Sequence, residues 1–208
     1  MPLIVLISVL STWAGRLVDR YGARGPLIVG PLIAALGFVL LALPGTSGDY
    51  WTTFFPGIAV LGLGMALTVA PLTTTVMGAV EAERAGLASG INNTVSRAAS
   101  LLSIAVFGIV AYHRFNHALG RRLNALGIPP GVQQLLANER KKLAAADVSS
   151  LPAGVRSAVR GAIESSFVDG FRVIMWLSAA LAVGGAVCAW RLVRRERRPG
   201  SGPMTHHR

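Results

Sequence analysis

Apolar residues in this chain come in long unbroken blocks, not at alternating or three-to-four spacing. That pattern predicts helices surrounded by lipid, not half-buried strands or surface helices. Five blocks can be read. The first, Pro2 to about Ala14, is short. The second, Pro26 to Leu43, would rise roughly 27 Å as a helix, close to the hydrocarbon thickness of a bilayer. The third, about Trp51 to Met77, holds no charged residue and is long enough to span with tilt. The fourth is clearest from Ala98 to Tyr112 and begins upstream, near Asn92, while the fifth, about Val173 to Leu192, is the cleanest. Between them His113 to Ser166 is polar and basic, punctuated by Gly127-Ile128-Pro129-Pro130-Gly131 and Leu151-Pro152. Within it, Gln133 to Ala146 and Ala153 to Phe167 predict two short amphipathic helices, carrying Leu135, Leu136 and Leu143 on one and Val155, Val159 and Ile163 on the other. The fold class is therefore all-α, a polytopic membrane bundle of about five transmembrane helices. Residues 1–112 hold the first four, 113–166 form a loop, 167–192 form the last helix, and 193–208 form a basic tail, with Pro199 to Arg208 disordered.

Composition agrees. The chain is 52% hydrophobic and 14% charged, with mean hydropathy +0.55, where a soluble domain carries about 25% charged residues. The net charge of +11 would suggest nucleic acid in a soluble protein. Here it flanks the apolar blocks and fills the tail, where anionic lipids are the natural partner, and basic residues do not interleave with aromatics as in a nucleic-acid binder. Arg16, Arg20 and Arg24 lie between the first two blocks, Arg84 between the third and fourth, and Arg191, Arg194, Arg195, Arg197 and Arg198 after the fifth. The link from Pro44 to Tyr50 holds Asp49 and no basic residue. The positive-inside rule then puts the first and third connections and the C-terminus in the cytoplasm, and the 113–166 loop outside the cell membrane. Basic residues in that loop run against the rule, which long loops obey poorly. Met1 would lie outside with no positive flank, so it reads as an arbitrary start. A signal peptide is opposed by the missing basic segment ahead of the first block.

Chemistry is sparse. Cys188 sits alone in an apolar block, and His113 and His117 are too few for a metal site. No nucleophile, base or metal cluster converges, so the chain is not expected to be an enzyme or to hold a cofactor. No Asp or Glu lies in a predicted span, so a proton-coupled carrier would need its titratable carboxylate elsewhere.

The most specific stretch is Gly15-Arg16-Leu17-Val18-Asp19-Arg20-Tyr21-Gly22-Ala23-Arg24, between two spans. Gly15 and Gly22 permit a tight turn, Asp19 suits a helix N-terminus, and Arg16, Arg20 and Arg24 can pair with it or with lipid phosphates. It resembles the G-x-L-x-D-R-x-G-R-R/K signature of the major facilitator superfamily, departing at Ala23, where a basic residue is usual. Arg84-Ala85-Gly86-Leu87-Ala88-Ser89-Gly90-Ile91-Asn92-Asn93 is similar to the loop entering the penultimate span of the fourteen-span drug:proton antiporter branch. The resemblance implies the last five helices of such a transporter, a C-terminal half whose partners are the missing N-terminal half, a small-molecule substrate and protons. It also implies that Asp19 is a cytoplasmic latch anion, with Arg20 beside it.

Within the spans, Gly62, Ala66 and Ala70 recur at small-xxx-small spacing, and Gly64 to Pro71 is a candidate bend. Asn92, Asn93 and Arg97 are candidate cavity-lining residues; an arginine at mid-membrane costs about 2.5–3.5 kcal/mol, so Arg97 should snorkel or face a polar cavity. The function expected is proton-coupled efflux of small amphipathic compounds; the alternative is a non-transporting membrane subunit or sensor with an external recognition loop.

Overall fold

The computed structural model describes residues 24–46, 49–78, 80–128 and 153–193. They form four long helices: α1 (Arg24–Ala42), α2 (Phe55–Gly78), α3 (Ala85–Ala125) and α4 (Ala153–Leu192), with no strand among the described residues. Each contains a stretch long and apolar enough to cross a membrane. In hydrocarbon the backbone must satisfy its own N–H and C=O groups, which an unbroken helix does. The described residues are thus an all-α polytopic membrane bundle; the first apolar block, Pro2 to Ala14, lies outside them. A wide turn over Tyr50–Phe54 leads into α2. There the Tyr50 and Trp51 rings meet edge to face at 5.6 Å, and Trp51 and Phe55 at 5.3 Å.

α1 packs on α2 along one side and on α4 along another. The α1–α2 seam is built by missing side chains. A Cβ on Gly37 would lie 2.6 Å from the Leu61 nitrogen, and one on Gly64 would collide with the Ala34 backbone. Gly30 faces Thr68 and Gly57 faces Leu41 in the same seam. Positions 57, 61, 64 and 68 share one stripe of α2, and backbones approach closely along it. Gly62 and Ala66, the small-xxx-small pair, are also buried but point roughly 160° away, so they do not make this seam. α2 continues unbroken through the buried Pro71, which has no N–H for the Leu67 carbonyl. The hydroxyls of Thr68, Thr73 and Thr75 donate back to the carbonyls of Gly64, Val69 and Pro71 at 2.7, 3.0 and 2.7 Å, a pairing that favours a slight bend.

Two arginines tie α1 to α4 at opposite ends. Arg24 Nη2 donates to the Trp190 carbonyl at 2.8 Å. Arg172 Nη2 donates to the Leu43 and Pro44 carbonyls at 3.3 and 3.2 Å. Both reach orphan carbonyls at the C-terminal end of the other helix. The 19 residues of α1 between the two ties rise roughly 28 Å, the thickness of a hydrocarbon layer. Buried Ala179 and Ala186 follow Arg172 at seven-residue intervals, the small face of α4 laid on α1.

α3 and α4 have 41 and 40 residues, roughly 60 Å each, twice what a bilayer needs. The fourth span was expected to stop at Tyr112 and the last helix to begin near Val173. Instead, helix continues from Tyr112 to Ala125 and runs unbroken from Ala153 into the last span. Ala153 to Phe167 is therefore the first part of α4, not a separate short helix, while Gln133 to Ala146 lies outside the described residues. The extensions pack on each other as a helical stalk. Phe115, Leu119 and Leu123 of α3 meet Val159, Ala162 and Ile163 of α4, with Ile128 closing the end. The turn beyond α3 ends in a Schellman cap: Gly127 has φ +64°, Ile128 N–H donates to the Leu123 carbonyl at 3.2 Å, and Gly127 N–H to the Asn124 carbonyl at 3.1 Å. Arg122 donates to Ser166 Oγ at 3.1 Å and pairs with Asp169 at 2.8 Å, and Ser166 donates to the Ala162 carbonyl at 2.6 Å.

Gly37→Val should force the α1–α2 seam apart and destabilise the protein by about 1–3 kcal/mol. The check is the thermal midpoint in detergent, with Gly184→Ala, whose surroundings are open, leaving it unchanged or raised. Asp169→Asn should weaken the stalk by about 1 kcal/mol, seen as faster hydrogen exchange at the Leu119 to Leu123 amides.

Candidate functional site

α3 differs from the other spans. No residue of its most apolar stretch is buried within this chain. Yet that stretch is not apolar all round. At about 100° per residue, Asn92, Asn93, Ser96, Arg97, Ser100 and Ser103 fall within an arc of roughly 140°. Leu87, Ile91, Val95, Leu101, Leu102 and Ile109 occupy the remainder and are exposed, as lipid-facing side chains are. Asn93, Ser96, Arg97, Ser100 and Ser103 are exposed as well, and Asn92 is half-buried. The two sides of one helix thus have different fates in a membrane: the leucine side is content in lipid, and the asparagine–serine side is not.

Some of the polar groups satisfy themselves. Ser100 Oγ donates to the Ser96 carbonyl at 2.8 Å and Thr94 Oγ1 to the Gly90 carbonyl at 2.9 Å. The side chains of Asn92, Asn93 and Arg97 make no hydrogen bond or ion pair among the described residues. Arg97 is the one charged side chain in the described residues between Gly86 and Tyr112. It lies about 22 Å along the helix from Tyr112, a few ångströms inside the level of the Arg24–Trp190 tie, and helical side chains tilt toward the N-terminus. Its guanidinium therefore reaches the rim of the membrane at the Arg24 end while its stem stays on the polar face.

Of the other expected site residues, Gly15, Arg16, Asp19, Arg20 and Gly22 lie outside the described residues. Arg24, the last residue of that motif, opens α1 and binds the Trp190 carbonyl, 166 residues away. Gly62, Gly64, Ala66 and Pro71 are all buried in α2, away from the polar face of α3, since α2 makes few contacts with α3. The candidate site is thus the face of α3 alone. Ser100 and Ser103 belong to it although the sequence pattern was followed only to Arg97; the steps of three and four residues that run Asn93, Ser96, Ser100, Ser103 were the available signal. No group of three His, Cys, Asp or Glu side chains that could hold a metal occurs among the described residues.

Residues 1–104 match the family model of the Major Facilitator Superfamily. The chain belongs to that family. Among curated relatives, it is 27% identical over 210 residues to the multidrug resistance protein Stp of Mycobacterium tuberculosis, covering 94% of this chain and 37% of that protein. It is 25% identical over 193 residues to the tetracenomycin C resistance and export protein of Streptomyces glaucescens, covering 91% and 36%. It is 27% identical over 203 residues to the methyl viologen resistance protein SmvA of Salmonella typhimurium, covering 95% and 39%. The chain spans less than two fifths of the length of these relatives. As a major facilitator chain it is a transporter-type, multi-pass membrane protein.

The two sides of α3 should label differently. In a Cys188→Ser background reconstituted in liposomes, Asn93→Cys and Ser100→Cys should react with a water-soluble maleimide at least ten times faster than Leu101→Cys and Leu102→Cys. Equal rates would place both sides in the same medium.

Proposed function

We propose that this chain is the C-terminal part of a drug-export carrier of the fourteen-span, proton-coupled branch. The observation that carries the reading is the polar face of α3: a membrane helix with an Asn-Ser-Arg arc that none of the described residues covers. Such a face is stable next to water or to another polar helix, and a substrate path between two halves of a carrier supplies both. Asn92, Asn93 and Arg97 would line that path. The second wall, and the titratable carboxylate that couples export to protons, would come from the N-terminal half. The resistance and export functions in the names of the relatives support efflux of small amphipathic compounds.

The protein sits in the cell membrane with the Arg24 end, the Gly15–Arg24 motif and the C-terminal tail in the cytoplasm, and the stalk outside. Arginines crowd the first end, as the positive-inside rule requires. The basic tail rests on anionic lipid heads, and nucleic acid is no partner. Asp19 acts as the latch of the outward-open state, and Arg24 ties the motif loop to the end of α4. The three-helix unit of α1, α2 and α4 moves as one body, and the proline–threonine stretch of α2 bends within it.

The test uses the chain joined to its N-terminal half in a susceptible host. Asn93→Leu with Ser100→Leu should cut efflux of an exported dye at least ten-fold while surface expression holds; undiminished efflux would remove α3 from the path. Asp19→Asn should slow cycling far more than it lowers expression, and near-normal transport by that variant would remove the latch.

A further inference from the structure

α3 carries no carboxylate in its 41 residues but four arginines: Arg97, Arg114, Arg121 and Arg122. Arg122 is spent on the stalk, paired with Asp169. The other three are exposed and have no hydrogen-bond or ion-pair partner among the described residues. The neighbouring acidic residues of the stalk are already engaged, Asp169 with Arg122 and Glu164 with Arg160. By helical register Arg114 and Arg121 fall within roughly 50° of the middle of the Asn92–Arg97 arc, each more than roughly 100° round the helix from Leu119 of the stalk core. They stand about 3 and 13 Å beyond Tyr112, just outside the membrane. Arg97 stands on the same helix at the opposite rim.

We infer that the cargo this wall admits is an organic anion, such as a deprotonated phenol, carboxylate or sulfonate on an apolar body, and not a lipophilic cation. The inference rests on the reading of α3 as a wall of the transport path. The wall is positive at both mouths and neutral between them, where Asn93 and Ser100 offer hydrogen bonds without charge. A cation approaching either mouth meets an unpaired guanidinium. An anion meets a donor whose delocalised charge sheds water easily and binds carboxylate or sulfonate oxygens in pairs. Leucine and isoleucine beside the arc accept the apolar body.

The test uses two ions of the same shape and opposite sign, tetraphenylborate and tetraphenylphosphonium. Their binding to the purified chain in uncharged detergent is measured by equilibrium dialysis against protein-free micelles, so that partition into detergent is subtracted. Tetraphenylborate should bind at least ten-fold more tightly than tetraphenylphosphonium. Arg97→Gln should weaken the anion about ten-fold and leave the cation unchanged, and Arg97→Glu should reverse the preference, which a merely structural arginine would not do. Preference for tetraphenylphosphonium in the unaltered chain, or an Arg97→Glu variant that keeps the anion, overturns the inference while leaving α3 as a wall. If neither ion binds above micelles to a chain of normal helix content, or if binding survives Asn93→Leu with Ser100→Leu, the wall reading itself fails and takes the inference with it.

Discussion

The architecture depends on satisfying the carbonyls at helix ends where lipid offers no donor. Arg24 does this for α4 through the Trp190 carbonyl, and Arg172 does it for α1 through Leu43 and Pro44. An arginine suits the task because its fork donates several hydrogen bonds while its stem lies along apolar surface. Because the two ties face opposite ways, each holds one helix against the other at a different side of the membrane. Sliding α1 along α4 would break both at once. The register so imposed puts the small residues of the pair opposite each other and fixes the width of the apolar layer.

From that pair the rest divides into two bodies of different character. α2 joins α1 through a seam of glycines in which backbones touch, so there is little room for either to shift. α3 has no such seam with any of the other described helices. Its attachment is the stalk, where Phe115, Leu119 and Leu123 are buried against Val159 and Ile163 and the Arg122–Ser166–Asp169 chain adds direction. Burying that cluster is worth several kcal/mol by ordinary transfer bookkeeping, ample to hold one end of a helix. Gly170, which packs against the backbone of Ala111 and Phe115, lets α3 and α4 meet at the membrane surface.

The spans were legible because hydrocarbon enforces a crude rule: long apolar runs become helices, and Pro26 and the Pro44–Asp49 link bound α1 plainly. What the runs could not tell was where helix ends once water begins. His113 to Ala125 looks polar on average, and its buried Phe115, Leu119 and Leu123 make sense only beside Val159, Ala162 and Ile163, more than thirty residues on. The choice of seam was hidden for the same reason. α2 offers small residues on two sides, Gly62 with Ala66 and Gly57 with Gly64, and only the neighbour decides that the second pair meets α1. Arg24 looked like part of a loop motif, and its bond to Trp190 joins residues that no local pattern connects. Asn92, Asn93 and Arg97 stood out because a polar side chain in an apolar run always asks for a reason. That they share an arc with Ser96, Ser100 and Ser103, and that the arc is left bare, needed the fold.

The bare arc and the one-ended anchorage belong together. A helix that carries two asparagines and an arginine with no partner among the described residues is unfavourable in lipid. Fixing such a helix rigidly against α1 or α2 would bury the polar side against glycine and leucine and leave those groups unsatisfied. Fixing it only at the stalk leaves its polar side free to meet whatever polar surface or water lies across from it. A helix held this way answers to whatever lies across from it more than to its own bundle.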